Sequence, residues 1–242
     1  MTAEGEEGPA RLIVNPGRVA PPAKVTGRVN ARRFVRKMKM GSSQPHLLEG
    51  DDGNFYVTKF LNNPQHRRIL VNEFLSAEIM NYLQIPTARH QIISVSAEFL
   101  AANPDVYIQA GQRRSEVEPG YHLGLQHPGN PKRMDAYDLL PDVLLNQLVN
   151  LNQFIAVHAF DRWVVNRDVR ESIFFRVPLT EKWIPPPGIP QGLHGFVVLM
   201  IDHGSTFNGS HWTLPDELIS IPWFSLFRLV LLGHKIRIRI PD

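Results

Sequence analysis

The sequence predicts an α+β fold in two parts: a small N-terminal sheet carrying one helix, then a mainly helical region that carries a β-hairpin. Three observations predict it. Residues 46–61 are two runs rich in apolar and aromatic residues split by Gly50-Asp-Asp-Gly53, the pattern of paired strands. Residues 69–83 set Leu70, Phe74 and Ala77 at helical spacing, with Tyr82 read as part of the same apolar set. Beyond residue 140, apolar clusters at 143–149 and 154–160 read as two helices, and the runs 172–177 and 195–201 read as two strands.

Taken in order, residues 1–24 are rich in Pro, Gly and Glu and read as a tail. The first unit spans 25–100. It opens on a segment, Val25 to Met40, whose charges Arg28, Arg32, Arg33, Arg36, Lys37 and Lys39 alternate with apolar residues. That segment reads as an exposed basic strand, or as a basic face that meets an acidic partner or phosphate. After the hairpin and the helix, Pro86 ends the helical run and 87–95 is extended. Residues 101–134, rich in Gly, Pro, Gln and His, read as a hinge or long loop. The second unit spans 135–242, with Pro141 opening one helix, Asn150 or Asn152 capping the next, and Pro185-Pro-Pro-Gly188 breaking the chain.

Composition bounds the function. With 242 residues and 43% hydrophobic content, the chain can bury a sizeable core. Lys+Arg 26 against Asp+Glu 23 is nearly balanced, which argues against general nucleic-acid binding. The absence of cysteine excludes disulfides and thiolate metal sites and fits a cytoplasmic protein. The apolar run 221–233 is interrupted by Pro222 and Arg228 and falls short of the roughly 18 to 20 residues a membrane span needs.

Lys59 is the most informative single residue. It lies in an apolar strand between Val57 and Phe60, where an unpaired ammonium is costly, so it needs an acidic partner. Glu73 and Glu78 on the following helix both offer one, but they lie about 140° apart on an ideal helix, and Glu73 is the choice. Upstream, Gly41, Ser42 and Ser43 form a small-residue loop whose amides and hydroxyls suit an anion, or an ordinary polar turn. Downstream, Asp161 and Asn166 stand five positions apart at the end of a helix, and Asp202 follows a β-type run. That Asp, Asn, Asp order is the one ATP-dependent phosphoryl transfer uses, with one Asp on the acceptor hydroxyl and the other two residues on magnesium.

With these residues in this order, the sequence resembles the HipA-like kinases, most closely the short stand-alone bacterial members. The matching pieces are Gly41-Ser-Ser-Gln-Pro45, Tyr56-Val-Thr-Lys59, Asn62-Asn-Pro64, Asn72-Glu73, Ala159-Phe-Asp-Arg-Trp163, Asn166-Arg-Asp168 and Ile201-Asp-His-Gly204 with Phe207-Asn208. The resemblance implies a two-lobed protein-kinase-like or phosphatidylinositol-kinase-like fold that binds ATP and Mg2+ between its lobes. It further implies that Gly41, Ser42 and Ser43 form the phosphate loop, that Lys59, fixed by Glu73, holds the nucleotide phosphates, that Asp161 is the catalytic base, and that Asn166 and Asp202 bind magnesium. Asp168 has no assigned role, Arg170 offering one route by which it would orient the loop. The acceptor implied is a Ser or Thr hydroxyl, on the protein itself or on a protein partner. The ending after Trp212 departs from the family pattern, which leaves a nucleotide-binding regulator without turnover as the alternative.

Other chemistries find less support. His194, His203 and His211 fit no zinc-protease spacing, and His203 is expected to support the loop around Asp202. No Gly-x-Ser-x-Gly elbow is present. No helix-turn-helix with a basic second helix is visible. Trp163 and Trp212 are expected to be core aromatics.

Overall fold

The structure is a computed structural model that describes residues 27–39, 41–134, 136–178 and 194–212. The expected tail at 1–24, the ends of the basic segment at Val25 and Met40, the break at Pro185–Gly188, the apolar run 221–233 and the rest of the ending after Trp212 lie outside these. The fold is α+β. In the first half β1 (Val29–Lys37), β2 (His46–Gly50) and β3 (Phe55–Lys59) precede α1 (Arg68–Tyr82). They are followed by β4 (His90–Val95), α2 (Ala97–Ala102), β5 (Tyr107–Ala110), β6 (Arg113–Glu116) and β7 (Gly120–Gln126).

Five of these strands close a barrel in the order β1-β2-β3-β7-β4, the last seam being a short parallel pairing of Val29 with Ile93 and Asn30 with Ser94. The β2–β3 hairpin turns where expected, because Gly53 takes φ +77° and the Asp52 carboxylate accepts from Asn54 N at 3.0 Å and from the Tyr56 hydroxyl at 2.6 Å. Strand alternation then divides the side chains. Leu48 and Tyr56 enter one core with Phe60, Ile93 and Val95, while Val57 faces the other way, toward Leu70 and Phe74 of α1.

The stretch 101–134 is not a loop. It supplies β5, β6 and β7, and β7 runs between β3 and β4 in the barrel, with Thr58 opposite Gly124 and Gln91 opposite the same residue. Its Gly and His content conceals a central strand for a steric reason: a Cβ at Gly124 would lie 2.5 Å from Ile93 Cγ1, so the neighbouring strand's side chain occupies that volume. On α1, Leu70, Glu73, Ala77 and Met80 are buried, but Tyr82 is 87% exposed. It stands five residues past Ala77, about 140° off the buried line.

The second half holds β8 (Ala136–Tyr137), α3 (Gln153–Trp163), β9 (Glu171–Pro178) and β10 (His194–Ile201), the strands forming one antiparallel sheet in the order β10-β9-β8. Among the described residues it is therefore not mainly helical: α3 is its one α-helix. The expected helix at 143–149 is a 3-10 segment, Asp142–Gln147, with Val143 81% exposed. The chain leaves it at Leu148, which bridges to Phe196, and Asn150 does not cap α3. Its amide instead pairs like a strand neighbour with the backbone of Val198, N–H and C=O both at 2.9 Å. Asn152 precedes α3 without a side-chain cap. Trp163 is 64% exposed, so it is not a core aromatic.

The halves meet through one apolar cluster in which Met80 and Ile85 pack with Phe160 of α3 and with Phe174, Val198 and Met200 of the second sheet. The segment after α1 also pairs with the end of β10: Met200 N donates to Pro86 O at 2.9 Å and the Thr87 hydroxyl to Met200 O at 3.0 Å.

In the barrel, Phe60 is flanked edge-on by His46 and His122 at 5.0 and 5.1 Å. Burial lowers both imidazoles from 6.5 to about 4. The unfolded chain takes up protons near pH 6.5 that the folded chain refuses, so stability present at neutral pH is lost as the pH falls through this window. Urea unfolding at pH 7 and pH 5 should show a loss of about 2 kcal/mol for each histidine, and His122→Gln should flatten the dependence.

Candidate active site

Between the barrel and the second sheet lies a cleft of about 720 Å³. Its apolar surface comes from Val57, Ala88 and Leu125 on one side and from Leu140, Ile173 and Phe174 on the other. Lys59 and Asp202 meet in it. The Lys59 ammonium is 2.9 Å from Glu73 Oε2 and 2.9 Å from Asp202 Oδ1. The Lys59 side chain is 7% exposed and that of Glu73 fully buried, whereas the Asp202 side chain is 35% exposed. Burial alone would lower Lys59, but the two carboxylates overcome it and raise it above the ordinary lysine range. Burial likewise pushes Glu73 up, and the ammonium, with His90 behind it, draws it well below the usual carboxylate range. His90 Nε2 stands 3.7 Å from Glu73 Oε1.

Each group is placed by its element. Lys59 ends β3 on the cleft-facing side, and Glu73 lies on the inward stripe of α1. Asp202 follows β10 in the left-handed region, at φ 51°. The residues after it are clamped to α1: the Asn72 amide donates to Gly204 O and Thr206 O at 2.8 Å and to Gly209 O at 2.9 Å. Ser76 and Thr206 hydroxyls meet at 2.8 Å. Gly204 is required there, since a Cβ would come within 2.3 Å of Ile69 Cγ2. Trp212 donates its indole N–H to Asn72 Oδ1 at 2.7 Å and remains 48% exposed, a clamp rather than a core aromatic.

Asp161 and Asn166 form a second group. Asn166 Nδ2 donates to Asp161 Oδ1 at 3.1 Å, and Asn166 N to Asp161 O at 2.8 Å. Val165 between them takes φ 51°, strained for a β-branched residue. Arg170 pairs with both Asp161 oxygens, with Nε 3.0 Å from Oδ2 and Nη2 on Oδ1. Its remaining contacts are to Ile201 O at 2.9 Å and His203 Nδ1 at 2.5 Å, so Asp168 does not act through it. Asp168 N instead donates to Asn166 Oδ1 at 3.2 Å. The two loops interlock further through Phe207 N on Val164 O at 2.7 Å and Arg167 Nη1 on Asn208 Oδ1 at 2.6 Å.

Of the residues singled out by sequence, Gly41, Ser43, Lys59 and Asp202 line the cleft, and Arg36 and Lys39 of the basic segment do so as well. Ser42 is exposed outside that lining, and Glu73 lies beneath Lys59. Asp161 and Asn166 are joined to the cleft wall through Arg170 rather than lining it. The loop at Gly41 turns with φ +107° and Gln44 N on Gly41 O at 2.9 Å, and the Gln44 side chain pins it to β5 by two 2.7 Å bonds with Gln109.

The oxygens present suit magnesium in part. Asp202 Oδ2 carries no hydrogen bond among the described residues, and Asn166 Oδ1 keeps a lone pair beyond the Asp168 amide. Glu171, at the cleft, is raised by partial burial and then by Asp202, the mark of surplus negative charge. No three His, Cys, Asp or Glu side chains are grouped as metal ligands among the described residues. Asp202 and Asn166 would thus supply part of a magnesium shell, with phosphate and water oxygens making up the rest.

Sequence reasoning passed over Thr87 and His90, and it offered Arg170 only as a partner route for Asp168. Nothing in Asp168-Val-Arg170 signals a buried guanidinium, because its partners come from a helix end and a strand end remote in the chain.

A family model described as HipA-like kinase matches residues 31–174, more than half of the chain and inclusive of Lys59, Glu73, Asp161 and Asn166. The chain belongs to the HipA-like kinase family. No curated protein and no solved structure matches it. Among the described residues, no helix is long and apolar enough to cross a membrane.

Because the Glu73 carboxylate is buried, removing its cation should be expensive. Lys59→Met is expected to cost about 3–5 kcal/mol in chemical unfolding, and adding Glu73→Leu should recover most of it. An equally unstable double variant would show that the pair is not what matters there.

Proposed function

We propose that this chain is an ATP- and Mg2+-dependent kinase that transfers the γ-phosphoryl group to a Ser or Thr hydroxyl, on itself or on a protein partner in the cytoplasm. The observation that carries this is the Lys59 ammonium, held at the cleft between a buried and a half-exposed carboxylate. Such a cation is pre-oriented for phosphate oxygens and costs little to redirect, because Glu73 remains its partner when Asp202 turns to a metal. We take the arrangement to be two-lobed, with residues 25–100 and β7 forming the nucleotide-binding lobe and residues 135–242 the catalytic lobe.

In this arrangement the amides and hydroxyls of Gly41, Ser42 and Ser43 face the phosphates. Asp161 receives the acceptor hydroxyl and takes its proton, while Asn166 and Asp202 hold magnesium. When bound, the metal neutralises phosphate charge that the lysine alone leaves uncompensated. A second reading, a nucleotide-binding regulator without turnover, draws on one observation: both Asp161 oxygens are engaged by Arg170 and Asn166.

Incubation with radiolabelled ATP and magnesium separates the two. Phosphorylated product supports the kinase, and calorimetric nucleotide binding without product supports the regulator. Asp161→Asn should lower transfer roughly 10²–10⁴-fold and spare nucleotide binding. Asp202→Asn should remove the magnesium dependence of binding. Undiminished transfer by Asp161→Asn would refute its role.

A further inference from the structure

We propose that Arg170, His203 and Thr87 form a positioning chain that sets the Asp161 carboxylate relative to the turn carrying Asp202. This rests on the kinase reading, in which those two carboxylates serve one reaction. Arg170 is almost wholly buried and its guanidinium contacts two separate pieces of backbone and side chain. One edge, Nε and Nη2, holds both oxygens of Asp161 at the end of α3. The other, Nη1, donates to the carbonyl of Ile201 and to the ring of His203, the residues on either side of Asp202. A single rigid planar group therefore spans the gap between the candidate base and the candidate metal ligand, which a lysine at this position has no fork to do.

The rest of the chain follows from donor and acceptor chemistry. Arginine only donates, so His203 Nδ1 accepts and its proton sits on Nε2. Nε2 lies 2.7 Å from the Thr87 hydroxyl oxygen, which accepts it, and the Thr87 hydroxyl hydrogen goes on to Met200 O at 3.0 Å. Each donor finds one acceptor, and only this tautomer allows it. The opposite tautomer would set an N–H of His203 against an N–H of Arg170 inside a fully buried space. Thr87 belongs to the segment that leaves α1, so the placement of Asp161 is tied to the helix that supplies Glu73, the partner of Lys59. Because the chain runs from the Asp161 carboxylate to the backbone and side chains that flank Asp202, its effect should appear in turnover more than in nucleotide affinity.

The test uses the full chain in wild-type form and as Thr87→Val, His203→Asn and His203→Leu. Nitrogen NMR of the His203 ring in the wild type should show the Nε2–H tautomer. Thr87→Val, which keeps shape and removes the hydroxyl, should lower kcat about tenfold or more while KM for ATP and calorimetric nucleotide binding stay near wild type. His203→Asn, whose amide oxygen can still accept from Arg170, should retain more kcat than His203→Leu. An Nδ1–H tautomer in the wild type would overturn the proposal, as would wild-type kcat in Thr87→Val and His203→Leu. If the wild type transfers no phosphoryl group, the kinase reading fails on that result alone, and the tautomer still decides whether the chain exists.

Discussion

One buried ammonium governs the centre of this protein. Lys59 sits on a barrel strand at the cleft wall with its side chain almost wholly buried, and charge in such a place is tolerated only beside opposite charge with good hydrogen-bond geometry. Glu73 meets that demand from α1 and Asp202 meets it from the end of β10, so three elements far apart in the chain are drawn to one point. The same contact explains why α1 turns polar residues inward. Glu73, Asn72 and Ser76 are all buried on a helix whose other inward positions are apolar, and each has its partner outside the helix.

Around that point the polypeptide is held in conformations it would not adopt by preference. Val165 and Asp202 both lie in the left-handed region, and such residues typically cost 1–3 kcal/mol each, about what one or two neighbouring hydrogen bonds can offset. The offset is visible. The 161–170 and 202–209 loops exchange backbone bonds, Asn72 gathers three carbonyls, and Arg170 ties both loops together. Left-handed residues also occur at Gln44, His66 and Gln84, but those at Val165, Asp202, Phe207 and Asn208 fall together in the two loops that carry Asp161, Asn166 and Asp202, where such strain is held by the surrounding bonds.

Where local signals were strong, the chain was readable. Lysine among Val57, Thr58 and Phe60 announces a partner, and helix phase alone separates Glu73 from Glu78. The β2–β3 turn, the body of α1, α3 and the β9–β10 pair follow from turn chemistry and periodicity. β7 did not, because its Gly124 and His122 carry no strand preference and the strand exists by virtue of what β3 and β4 offer on either side. Asn150 misled for a similar reason. A residue suited to a helix cap was taken instead by an open backbone pair on Val198. Trp163 and Tyr82 show the limit of size as a guide, since large aromatic residues at element ends remained in solvent.

By itself, the amino-acid order determined the mixed fold, the family, and the pairing of Lys59 with Glu73, because charge in an apolar run, helix phase and turn residues act over a few neighbouring positions. Only the tertiary structure decided that β7 completes the barrel, that Asp161 answers to Arg170, and that His203 holds one tautomer between Arg170 and Thr87. Those outcomes depend on which hydrogen-bond donors and acceptors remain unmet once distant segments pack together, and no local pattern encodes that remainder.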